Sequence, residues 1–289
     1  MNHRFLFLFL AAPFLCSCFL DKEDPGSKDP HVEKPAVLGV VAMIDNMRPT
    51  GAGASIVAGF FKKEQASAAR LIHAEASREA KCALRTVQPS RDTRRTLFAT
   101  SSSRSLKFLS AGAVSFGPAG QPSLSAIPQT ASNLYGLALT PNFPAGFYSI
   151  RAEGAGDVPG FTDLLSVPEP MGGVLVNGID VNNRPNIKKS EQLVLRWNAP
   201  YFPNGGNGIE FWLTTDTVEL SCLIDESSLV PAGGVISWIL PSSILTKLLV
   251  SSSADFGIER SHSRVKEISN LLVELRGSRQ VQGPVHVQE

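Results

Sequence analysis

Apolar residues fall along most of this chain in short runs separated by Gly, Pro, Ser and Thr. That spacing predicts strands joined by turns, and hence a mainly β fold of the sandwich or barrel kind. In the first half the predicted strands are Ser55–Phe61, Cys82–Val87, Leu106–Phe116, Leu134–Leu139, Gly146–Ala152 and Phe161–Val167. In the second half they are Gly173–Val176, Gln192–Trp197, Ile209–Thr214, Thr217–Ile224, Val235–Leu240, Leu248–Arg260 and Asn270–Gly277. Alternation assigns faces, because successive side chains of a strand point to opposite sides. Tyr148 and Ile150 share one face, Leu193, Leu195 and Trp197 another, and Ile209, Phe211 and Leu213 a third. Two segments depart from the β pattern. Lys63 to Lys81 is rich in helix formers, with Ala68, Ile72, Ala76 and Ala80 four apart, and predicts a helix, with a long polar hairpin as the competitor. Ser242–Leu249 predicts one short helical turn capped by Ser242 or Ser243.

Val167-Pro168-Glu169-Pro170 predicts a boundary, since the prolines impose extended backbone and cannot sit in a central strand. The expected organisation is therefore two β-sandwich-like domains, 37–168 and 171–289, preceded by residues 1–17 and 18–36 of a different character. Asn2-His3-Arg4, the apolar run Phe5 to Leu15 and the small residues after it read as a cleavable export signal. The run is too short to span a bilayer, which takes about 20 residues. Leu15-Cys16-Ser17-Cys18 resembles the bacterial lipobox, in which a Leu and a small residue precede the acylated Cys. Phe14 and Leu15 are too bulky to precede the cut, so Cys18 rather than Cys16 is the expected acceptor. An ordinary signal cut nearby is the alternative. Phe19 rather than Asp follows Cys18, which leaves the outer membrane open as the destination. From Asp21 to Pro35 the chain is charged, with Pro, Gly and Ser, and reads as a flexible stalk.

Charge adds one restriction. Lys and Arg number 27 against 26 Asp and Glu, a net charge of +1, so no nucleic-acid surface is implied. Cys82 and Cys222 are the cysteines outside the leader region, and placing them in different domains favours two buried free thiols over a bridge. Arg91, Arg94, Arg95 and Arg104 lie in a Ser- and Thr-rich stretch that reads as a solvated loop, with a phosphate- or glycan-facing patch as the sharper alternative.

Candidate chemistry is sparse. His73 and His262 have no partner at metal-ligand spacing and read as solvated surface residues. Gly51-Ala52-Gly53-Ala54 lacks the remaining features of a dinucleotide or phosphate loop and reads as a strand entry or bulge. Asp180, Asn182 and Asn183 offer oxygens in one loop, a weak calcium candidate that ordinary turn chemistry also explains. Asp225 and Glu226 are adjacent, so a strand would point them apart, and Glu169, Asp216 and Glu219 read as surface charge. Trp197, Phe211 and Trp238 read as core. Tyr201 and Phe202 precede a glycine-rich turn and Trp212 faces away from Phe211, so these three are the candidate ligand contacts, stacking on a sugar or anchoring a partner, with folding back over the sandwich edge as the favoured alternative. No catalytic residue, cofactor or firm metal site is expected.

Leu193-Val194-Leu195-Arg196-Trp197-Asn198-Ala199-Pro200 resembles the Trp strand of fibronectin type III and other immunoglobulin-like domains. The order of the whole chain, with Leu109-Ser110-Ala111-Gly112 and Cys222-Leu223-Ile224-Asp225, resembles uncharacterised two-domain lipoproteins of myxobacteria and related deltaproteobacteria. The resemblance implies architecture and location and brings no activity. The expected protein is a lipid-anchored envelope protein with a binding or structural role toward an envelope protein or glycan. An envelope hydrolase acting on glycan or peptide and a calcium-dependent adhesion module are the alternatives.

Overall fold

The computed structural model describes residues 35–49, 51–65, 81–86, 107–198 and 208–289. Lys34–Glu289 forms one compact unit, and it is mainly β, as the periodicity predicts. In chain order the strands begin with β1 (Val37–Arg48), β2 (Gly51–Lys62), β3 (Lys81–Thr86), β4 (Val114–Pro118), β5 (Ser125–Ile127) and β6 (Tyr135–Leu139). They continue with β7 (Gly146–Ala152), β8 (Phe161–Val167), β9 (Gly172–Val176), β10 (Ile179–Asp180), β11 (Asn186–Lys188) and β12 (Leu193–Asn198). The last five are β13 (Gly208–Thr214), β14 (Val218–Asp225), β15 (Val235–Leu240), β16 (Ser251–Ile268) and β17 (Leu271–Gln288). The one α-helix among the described residues, α1, is Ser242–Leu245, and its N-cap is Pro241 rather than either serine.

A nine-stranded sheet runs in the order β3-β14-β13-β16-β17-β1-β2-β6, with β11 added to β17. Two four-stranded sheets, β5-β4-β7-β8 and β10-β9-β12-β15, complete the set. Each encloses an apolar cluster against a different part of the large sheet. One joins Val114, Tyr148, Ile150 and Leu165 to Val41, Ile56, Phe60, Val273 and Leu275. The other joins Val176, Leu195, Trp197 and Trp238 to Phe211, Cys222, Phe256, Val281 and Val285. The large sheet thus takes strands from both sides of Pro168–Pro170, and β1 pairs in parallel with β17 from Val37↔Leu271 to Met47↔Val281. The prolines mark the passage from β8 to β9, between the two small sheets.

β17 explains how one strand serves both clusters. Leu271, Val273 and Leu275 belong to the first, Val281, Val285 and Val287 to the second. Between them, at the same period of two, stand Gly277 and Arg279. β16 follows suit, with Arg260 opposite Arg279 and His262 opposite Gly277. A tight turn through Ser269, at φ 53°, joins the two strands.

Several expectations change. β1 was not predicted, because a run buried on both faces carries no alternation. β16 and β17 run on to Ile268 and Gln288, beyond the predicted Arg260 and Gly277, through polar residues that the sheet nevertheless pairs. Cys82 and Cys222 form a disulfide, in place of the free thiols expected, because β3 adds to β14 with these residues directly opposite. Of the helix predicted over Lys63–Lys81, Lys63–Gln65 is a 3-10 turn and Lys81 begins β3, while residues 66–80 lie outside the described residues. Among the described residues no helix is long and apolar enough to cross a membrane.

Candidate functional site

A cluster of buried charged groups on the inner face of the large sheet lies where the chain crosses from β8 to β9. Arg260 and Arg279 sit directly opposite each other on β16 and β17. Like charges so placed repel, and both side chains are buried. Each therefore needs a carboxylate and further acceptors to offset its lost hydration. Glu226, in the 3-10 turn after β14, accepts from Arg260 Nε at 3.1 Å and Nη2 at 2.5 Å. Asp45 of β1 pairs with Arg279 and also accepts the Asn142 backbone N–H at 3.0 Å. The Trp197 indole N–H donates to the same Glu226 oxygen at 3.3 Å, tying the Trp strand to the seam.

The remaining guanidinium N–H groups donate to backbone carbonyls of the crossing chain. Arg279 Nε donates to the Pro168 carbonyl at 3.1 Å, and Arg260 Nη1 donates to the Glu169 carbonyl at 3.2 Å. Arg279 also donates to the Phe143 carbonyl and stands over the Phe143 ring, 4.4 Å from its centre. The two prolines have no N–H to give to a ladder, and the Pro168 and Glu169 carbonyls accept from the arginine side chains. Beside the arginines, Ser166 Oγ and His262 Nδ1 are hydrogen-bonded at 2.9 Å. Burial lowers the His262 pKa, an effect opposed by Glu226 and reinforced by Arg260, which favours the neutral imidazole.

The outer face of the same sheet carries a second polar layer. Glu259 pairs with Arg276 and accepts from Gln280, Ser263 Oγ donates to Glu274 at 2.6 Å, and Ser221 Oγ donates to Glu210 at 3.0 Å. Burial raises the Glu274 pKa, with Glu259 adding to the rise and Ser263 and Arg276 opposing it. Two neighbouring carboxyls can in principle divide acid and base roles. Here Glu259 and Glu274 are each only 5% exposed, so neither lines an open surface. Two depressions on the described surface lie elsewhere. One of about 450 Å³ is bordered by Ala36, Val37, Lys62, Lys63, Asp157 and Asn270, and a smaller one of about 250 Å³ by Leu109, Ser110 and Ala155–Asp157.

The predicted site residues fare differently. Trp212 is not an exposed contact: it is 5% exposed, with its indole laid over Gly257, where an added Cβ would sit 2.1 Å from the ring. A backbone without a side chain lets the ring cover the sheet. Asp180 caps the 3-10 turn Val181–Asn183, accepting from the Asn182 backbone and side-chain amides, each at 2.8 Å. That is local turn chemistry, and no grouping of three metal-ligating side chains occurs among the described residues. Glu226 is not surface charge but half of a buried ion pair, and Glu219 is buried as well. His262 is part-buried and hydrogen-bonded, not solvated. Trp197, Phe211 and Trp238 are core, as expected. Cys18, Tyr201 and Phe202 lie outside the described residues, as do Arg91, Arg94, Arg95, Arg104 and His73.

The arginine seam was missed because Arg260 and Arg279 look like the polar ends of strands. Its signal is a single interruption, Gly277–Arg279, in an alternation that resumes at Val281. No protein-family model matches the chain, and no curated protein matches it.

Proposed function

We propose that this chain is a lipid-anchored protein of the bacterial cell envelope, held by an acyl group on Cys18, whose folded part serves a binding or structural role. The observation that carries the reading is the Cys82–Cys222 disulfide joining edge strand to core. Disulfides form and persist where the compartment is oxidising, which agrees with the export signal and lipobox-like Leu15–Cys18 of the sequence. The buried charges support a structural role: Arg260–Glu226 and Arg279–Asp45 fasten the crossing chain to the sheet that both apolar clusters share. A fold so fastened presents a rigid outer surface on a tether. The partner class proposed is an envelope protein or a glycan.

Fractionation of the producing cells tests the tether. The wild-type chain is expected in the membrane pellet and in detergent extracts, and Cys18→Ala in the soluble fraction. Retention of Cys18→Ala in the pellet after a high-salt wash would count against a lipid anchor.

A further inference from the structure

The strand β3 stands far from its chain neighbours. β2 precedes it and β4 follows it, both in the half of the molecule around the first apolar cluster. β3 instead forms the opposite edge of the large sheet, with β14 as its strand neighbour. Six strand intervals separate it from β2, about 29 Å along the sheet at the usual spacing. Ordering a strand at that edge costs conformational entropy, which the contacts made there must offset.

Those contacts are few among the described residues. Cys82 is the β3 side chain packed on the second cluster, whereas Ala83, Leu84 and Thr86 are exposed. The rest is a ladder along one side, from Lys81↔Leu223 to Thr86↔Val218. An edge strand with few buried contacts lies at the low end of local stability. The bridge to Cys222 changes that balance. Cys222 is fully buried in the second cluster, and on its other side β13 holds it opposite Phe211. One covalent bond thus ties a weakly packed strand to a sulfur that the core fixes in place.

We propose that Cys82–Cys222 is a redox latch on β3: a small thiol reductant that opens the bridge frees β3 from β14 and leaves both apolar clusters folded. Cys82 is the sulfur open to attack, being part-buried where Cys222 is fully buried. A reagent thiolate attacks Cys82 Sγ, and the protein S–S bond breaks with its electron pair passing to Cys222 Sγ, which takes up a proton. A second reagent thiolate then attacks the reagent sulfur of the mixed disulfide. Cys82 leaves and is protonated to a thiol, and the reagent departs as its own disulfide. The protein gains two electrons and two protons. Release of β3 uncovers the backbone N–H and C=O groups of β14 that faced it, so the latch sets whether the large sheet ends on β3 or on β14.

Hydrogen exchange read by mass spectrometry tests the latch. The full chain carries Cys16→Ser and Cys18→Ser, leaving two cysteines, and is compared oxidised and after reduction with dithiothreitol. On reduction the Lys81–Thr86 segment is expected to exchange at least about a hundredfold faster, as an opened edge strand does, while β16 and β17 stay protected. Reoxidation with oxidised glutathione is expected to restore the slow rate. Unchanged exchange of Lys81–Thr86 in a chain shown by alkylation to be fully reduced would overturn the proposal, because the ladder alone would then hold β3. Loss of protection in β16 and β17 together with β3 would equally overturn it, since the bridge would then hold the whole fold. A Cys82→Ser chain gives a second reading without reductant. It is expected to match the reduced chain, and a slowly exchanging β3 there would also overturn the latch. None of these readings involves the lipid anchor.

Discussion

A methyl group added at Gly277 would lie 2.2 Å from the Ser166 carbonyl oxygen and 2.7 Å from the Val167 Cα. Both contacts are backbone, so the crossing chain would have to lift from the sheet, loosening the carbonyls that Arg260 and Arg279 hold. Gly277→Ala is therefore expected to destabilise the fold by about 1–3 kcal/mol, the range for overpacking a filled site. Urea unfolding checks it, and an unchanged midpoint would show that the passage is not tightly seated. His262 gives a pH signature at the same place. Its pKa is lower in the fold than the ordinary 6.5, so the unfolded chain takes up the proton more readily. Stability is then fully present above the ordinary histidine range and falls as pH drops through it. Glu274 has the opposite sign: its raised pKa means that protonation at lower pH relieves a burial cost. His262→Gln should flatten the loss of stability between pH 8 and pH 5.5, and an unaltered pH slope would remove the assignment.

At the scale of elements, strands with one apolar face were the most legible. Gly146–Ala152, Phe161–Val167 and Val235–Leu240 match their predicted bounds, because one buried face imposes a plain period of two. β1 failed that test by being buried on both faces, and the distal part of β16 failed it by exposing every residue from Ser263 to Glu267. The site was less legible still. Glu226 reaches Arg260 across 34 positions and Asp45 reaches Arg279 across 234, and no spacing in the sequence announces either contact. Pairing β3 with β14 joins residues 140 apart, which is why Cys82 and Cys222 looked separate. A bridge closing so long a loop constrains the unfolded chain, and removing one of this kind costs about 2–5 kcal/mol. Replacing both cysteines with Ser should lower stability by that order in urea melts. A variant as stable as the wild type under oxidising conditions would mean that the bridge contributes nothing to the fold.

At the scale of the molecule, β16 and β17 make the two apolar clusters parts of one body. Two small sheets lie on one shared sheet, and the Pro168–Pro170 passage, which from sequence suggested a domain boundary, is held by buried guanidinium groups at the Pro168 and Glu169 carbonyls. Lys34–Glu289 is one compact unit, and the proposed tether is the claim on which location and role both turn. Intact mass spectrometry of the protein extracted from membranes of the producing cells tests it most directly. The account predicts a mature chain beginning at Cys18, heavier than its sequence by the mass of a diacylglyceryl group and an amide-linked fatty acid. A mature chain that begins elsewhere, or that begins at Cys18 with an unmodified thiol, would contradict it.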